Sequence, residues 1–141
     1  MIGSRSTEKV VHIYSQDPAL DRDAESFADA WAEFLKTGDK SKLPIRDGHT
    51  PTLWHIQRLK RKRFLWVLDQ PDSHRASEAI AFGLKQVDGF TVDGVPFALG
   101  FKKFSDSEDR LSEDTLEILF DPTFFGELGV RILGLSKLPP T

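Results

Sequence analysis

Apolar residues return along this chain with two different periods, and the changes between them mark its elements. Phe27, Ala30, Trp31, Phe34 and Leu35 recur at helical spacing and form one stripe. They predict a helix over residues 24–36, with Asp21 or Asp23 as its cap and Thr37-Gly38 as its stop. Before it, residues 10–14 are a β-branched and aromatic run bounded by Gln16-Asp17-Pro18, which reads as a strand. After it, residues 38–50 form a polar connector. Pro51 then favours an extended chain, and Thr52, Trp54 and Ile56 alternate as strand residues do.

Beyond Leu59 the period shifts again. Leu59, Arg63, Trp66 and Val67 share one side of a helical wheel, and the cations mostly take the other. Residues 64–68 fit a buried strand equally well, because so short an apolar run carries no decisive period. Ser73 caps a second helix through residue 87, with Ala76, Ala79, Ile80, Gly83, Leu84 and Val87 inward and Gly89 as its stop. Within residues 90–101 a β-hairpin is expected, turning at Asp93-Gly94, where a two-residue turn needs positive φ. Pro96 donates no ladder hydrogen bond and puts the second strand at an edge.

Residues 105–109 read as an acidic polar loop. Ser112 caps a short helix to Phe120, with Glu113, Asp114 and Glu117 where the helix dipole favours anions. Pro122 opens a last helix in which Phe125, Leu128, Ile132 and Leu135 form the apolar stripe, and Pro139-Pro140 ends it. Gly126, Gly129 and Gly134 in that helix each give up about 1 kcal/mol of helix propensity relative to alanine. Such a sacrifice points to a close approach by another helix. The sum is one α+β domain over residues 1–141: four or five helices on a small, mainly antiparallel sheet, with residues 1–8 flexible.

Composition narrows the class. A chain of 141 residues with 39% hydrophobic content and 11 phenylalanines is one globular domain rather than a disordered segment. The absence of cysteine excludes disulfides, thiolate metal sites and cysteine nucleophiles. No run reaches the length of a membrane span, and residues 1–9 are polar without a signal core, so a cytoplasmic chain is expected. The net charge of −3 is uneven: residues 1–70 carry 12 Lys/Arg against 10 Asp/Glu, and residues 71–141 carry 7 against 12.

That asymmetry directs attention to residues 52–69, where Arg58, Lys60, Arg61, Lys62 and Arg63 lie between two aromatic blocks. Three readings fit the cluster: the solvated side of a half-buried helix, a docking patch for an acidic protein, or a grip on nucleic-acid phosphates with Trp54 or Trp66 stacking on bases. The acidic total disfavours the last. His12, His49, His55 and His74 lack the spacing of a metal pair. Asp106, Glu108 and Asp109 lack the glycine and terminal glutamate of a calcium loop. The nucleophile-elbow and phosphate-loop patterns are missing as well. No catalytic residue, metal or cofactor is expected. A reaction centre built from isolated residues would be sought first at His55 with Asp47 or Asp69.

Two segments carry a resemblance: residues 51–59, Pro-Thr-Leu-Trp-His-Ile-Gln-Arg-Leu, and residues 128–138, Leu-Gly-Val-Arg-Ile-Leu-Gly-Leu-Ser-Lys-Leu. The order of these pieces resembles that of small morphogenesis proteins of tailed bacteriophages, particularly tail assembly chaperone-like proteins. The resemblance implies a non-enzymatic role in particle or tail assembly, as a chaperone or a minor virion component, with a phage structural protein as partner. The expected partner-binding residues are Trp54, Arg58, Lys60, Arg61, Arg63 and Trp66 in the basic segment and Phe124, Phe125, Leu128 and Leu135 in the last helix. The basic group would steer an acidic partner, and the apolar group would supply contact area.

Overall fold

The computed structural model describes residues 9–137, so the expectations for residues 1–8 and for Pro139-Pro140 lie outside the described residues. The fold is α+β, as the periodicity predicts. Strands β1 (Lys9–His12), β2 (Leu53–Gln57) and β3 (Leu84–Asp88) form an antiparallel sheet with β2 in the middle. The register sets His12 beside Trp54 and Val10 beside Ile56, with Trp54 in turn beside Val87. Alternation therefore sends Trp54 and Ile56 to one face, where both are buried, while His55 and Gln57 take the other.

Helices α3 (Asp72–Gly83) and α5 (Pro122–Lys137) pack against each other, and α5 lies against β2. Gly129 has moved close to Ala76: a Cβ there would sit 2.8 Å from the Ala76 Cα. Gly126 and Gly134, by contrast, face open space. One of the three glycines thus provides the close approach that the sequence suggests. Trp54, Ile56, Ile80, Leu84, Leu128 and Ile132 belong to this main core. Helix α1 (Phe27–Thr37) closes a second, smaller core of Ile13, Leu20, Ala30, Phe34 and Leu43. It ends as expected, with Gly38 at φ +81° donating its N–H to Phe34 O at 2.8 Å.

The helix expected over residues 73–87 is shorter. It starts one residue earlier, after Pro71, and stops at Gly83, where the chain passes directly into β3. Pairing with β2 outweighs helix propensity over residues 84–88. A side chain at 83 would also strike Ile132, whose Cγ2 lies 2.6 Å from the ideal Cβ position. Residues 61–68 settle as helix α2 (Arg61–Leu68). The hairpin of β4 (Thr91–Val92) and β5 (Val95–Pro96) turns at Asp93 and Gly94, both at positive φ.

A second hairpin replaces much of the expected acidic loop: β6 (Phe101–Ser105) pairs with β7 (Glu108–Leu111). Its strands are charged and carry little alternation of their own, and the surrounding helices hold them. Helix α4 (Glu113–Leu119) follows, with Ser112 Oγ accepting the Thr115 N–H as a cap.

Candidate interaction surface around the basic helix

Helix α2 begins badly for a helix. Lys60 is its N-cap residue, Arg61, Lys62 and Arg63 fill the first turn, and no acid is present there. The dipole makes this end positive, so each exposed cation here costs about 0.3–1 kcal/mol rather than stabilising. Among the described residues Arg63 is the cation of this turn held in a salt bridge. It is 7% exposed, with Nη2 donating to Glu108 Oε1 at 2.6 Å and Nε donating to the same carboxylate at 3.2 Å. Its guanidinium lies 4.8 Å from the Trp66 ring centroid, 4.6 Å from Phe82 and 4.5 Å from Phe104. Hydrogen bonding from Arg63 draws the Glu108 carboxyl below its ordinary range despite partial burial.

The helical wheel thus places Arg63 correctly, on the side of Leu59 and Val67, while the expectation that Arg63 meets a partner is corrected. It is an internal cation that fastens the second hairpin to α2. Lys60, Arg61 and Lys62 remain exposed, together with Leu65 at 48%. Arg58 is half-buried and donates from Nη2 to Ser136 O at 3.3 Å, and the adjacent Leu59 N–H donates to Ser136 Oγ at 2.9 Å.

Other expected contact residues have also gone inside. Trp54 is 5% exposed, its ring 4.6 Å from Phe124 and 5.4 Å from Phe90. Phe124, Phe125 and Leu128 are buried in the main core, because the apolar stripe of α5 faces the sheet and α3. None of these four can meet a partner in this fold. Trp66 and Leu135 are half-buried at its margin. Among the outward apolar residues, Leu65 lies on α2 itself, and Phe101 at 44% and Phe104 at 41% lie on the hairpin beside it. The run Phe101-Lys102-Lys103-Phe104 was the signal for the last two. Its lysines cannot be buried without partners, so a strand carrying it keeps at least one face in water.

His55 pairs with neither Asp47 nor Asp69. Its Nε2 lies 2.8 Å from Asp88 Oδ2 across the β2–β3 pairing, on the outer face of the sheet. A deeper polar group was not anticipated. Buried His12 has Nε2 2.8 Å from Glu127 Oε2, and Ser15 donates its N–H to the same oxygen at 2.9 Å and its hydroxyl to Oε1. Burial pushes the Glu127 carboxyl up, but the hydrogen bonds from His12 and Ser15 outweigh it and hold the group below its ordinary range. The carboxylate stands between the serine and the histidine. His12 therefore cannot take the Ser15 proton, and the group reads as a clasp between β1 and α5 rather than a nucleophile site.

Among the described residues no group of three or more His, Asp or Glu side chains gathers for a metal ion. No helix among them is long and apolar enough to cross a membrane. Compared with protein-family models, curated proteins and solved structures, the chain matches none.

Proposed function

We propose that this chain is a non-enzymatic protein-binding module that captures an acidic partner with the exposed start of α2. One observation carries the reading: Lys60, Arg61 and Lys62 crowd the positive end of a helix with no acid in its first turn. Local stability argues against cations there, and among the described residues only Arg63 is held in a salt bridge, with Lys60 at longer range from the same Glu108. Residues kept where they weaken their own helix are best explained by what they meet outside it. Leu65, one turn beyond Arg61, adds an apolar contact beside the charges.

For the setting we propose phage particle or tail assembly, on the strength of the two resembling segments. These segments meet in the fold, where Arg58 and Leu59 of the first bond to Ser136 of the second. Neighbouring genes for capsid or tail proteins are the expected finding, and metabolic genes on both sides would overturn the setting.

The binding reading is tested by Lys60→Glu, Arg61→Glu and Lys62→Glu together. Capture of the partner from a lysate of the native host should fall and lose its salt dependence, with thermal stability kept. Undiminished capture by the triple variant sinks the reading. A steep salt-dependent shift of nucleic acid by the unmodified chain, abolished in the variant, would assign the same cations to phosphates instead.

A further inference from the structure

The second hairpin leaves one sheet edge open. Among the described residues strand β6 pairs with β7 alone, and Phe101, Lys102, Lys103 and Phe104 are all exposed. The direction of its backbone groups follows from the ladder. The Ser112 N–H donates to Gly100 O at 2.9 Å, and the register continues as Phe101 with Leu111, Lys102 with Arg110 and Lys103 with Asp109. In an antiparallel pair the hydrogen-bonded and non-bonded positions alternate. Lys102 thus points its N–H and C=O toward β7, and Phe101 and Lys103 point theirs away. Among the described residues nothing bonds to these outward groups. Beyond Lys103 the register shifts, leaving Phe104 as the unpaired residue turned toward Trp66 and Phe82.

An exposed edge of this kind accepts another strand, and the side chains select which one. Two copies of β6 pairing antiparallel along their full length would set Lys103 against Lys103, and the neighbouring register would set Lys102 against Lys102. Like charges directly opposed are destabilising, so a second copy is a poor occupant. The salt bridges from Lys102 to Glu113 and from Lys103 to Asp106 are exposed and weakly held, so both lysines can exchange them for better partners.

We infer that β6 is the acceptor edge for an extended segment of a partner protein, with two adjacent acidic residues flanked by apolar ones. The acids would oppose Lys102 and Lys103, and the apolar residues would lie along Phe101 and Phe104. This rests on the reading of the chain as a protein-binding module, but not on the cations of α2.

The probe is a short capped peptide, Thr-Val-Glu-Glu-Val-Thr, with a twin carrying two lysines in place of the glutamates. Backbone amide exchange of the full chain is measured with each. The acidic peptide should slow the Phe101 and Lys103 amides in a saturable way, and the lysine twin should bind about tenfold more weakly. Lys103→Pro removes an N–H that faces away from β7, so the hairpin should persist while protection at Phe101 disappears. If that variant fails to fold, Lys102→Glu with Lys103→Glu should reverse the preference between the two peptides. No slowing at β6 with the acidic peptide, equal binding of the twin, or protection that grows with protein concentration alone would each overturn the inference. Reversal of Lys60, Arg61 and Lys62 should leave the β6 protection intact, so either proposal can fail without the other.

Discussion

Arg61 and Arg63 are the same residue type on the same helical turn, yet their surroundings have almost nothing in common. Arg63 is enclosed by three aromatic rings and bound to Glu108 through two nitrogens. Arg61 stands in water with no acid in its turn. On the inner side the guanidinium organises the molecule, because it ties α2 to a hairpin that is also anchored by buried Leu111, by Phe104 against Trp66 and Phe82, and by the ion pair of Arg110 with Glu78. On the outer side the charge slightly weakens its own helix, and under the proposed function it serves a partner. Under the proposed function, charge at this helix start has two separable roles, and substitutions can pull them apart.

The largest effect is expected from Arg63→Met, which leaves Glu108 in place without its counter-charge. Urea unfolding should show a loss of about 3 kcal/mol, at the lower end for a broken buried pair because Glu108 keeps some solvent. Adding Glu108→Leu should recover most of that loss, since the penalty lies mainly in the stranded carboxylate. A double variant as unstable as the single one would show that the rings, not the charge pair, carry the contact.

Acid provides the next test. The Glu108 and Glu127 carboxyls are both held below their ordinary value, so the unfolded chain takes up protons first as pH falls. Their stabilisation is complete above the ordinary glutamate value, roughly 4.3, and is lost as pH drops through the folded values. Glu127→Gln should therefore flatten the slope of stability against pH below that point. At neutral pH it should cost about 1–2 kcal/mol, because the hydrogen bonds that the carboxylate accepts from His12 and Ser15 are weakened. An unchanged acid slope would remove the clasp from the account.

Helix α5 offers a similar pairing of inner and outer positions. Gly129→Ala should destabilise by about 1–2 kcal/mol, since Ala76 must move to admit the methyl group. Gly134→Ala meets open space and should stabilise by up to about 1 kcal/mol, read as a rise in melting temperature. The smallest effect belongs to Arg61→Glu, which replaces an unfavourable charge at the dipole's positive end and should stabilise by about 0.5 kcal/mol while weakening capture. A destabilised Arg61→Glu would mean that this side chain has an internal partner after all, and the separation of roles would fail.

Much of the architecture could be read from periodicity. The stripe of α1, the Asp-Gly turn and the cap at Ser112 all lie where local chemistry predicts. Two elements escaped because their cause is not local. Leu84-Lys85-Gln86-Val87 carries a helix-compatible pattern and becomes a strand because β2 offers it a ladder. Glu108-Asp109-Arg110 has the composition of a loop and becomes a strand because Arg63 and Glu78 hold two of its charges. The contact residues were misjudged for a related reason. Large rings and long cations have the chemistry of contact residues, but Trp54, Phe124 and Phe125 fill the core, and the apolar stripe legible in α5 is the one that turns inward. The helical wheel did place Arg63 with Leu59 and Val67, and that geometric signal was the better guide to its fate.

The passage from α3 to β3 without an intervening residue has a mechanical consequence. A linker would absorb rotation, whereas this junction has none and packs Gly83 against Ile132 of α5. Arg110 on the second hairpin grips Glu78 on α3, the helix that runs straight into the edge strand of the three-stranded sheet. The hairpin and the edge of the three-stranded sheet are thus joined through one unbroken run of chain, α3 into β3.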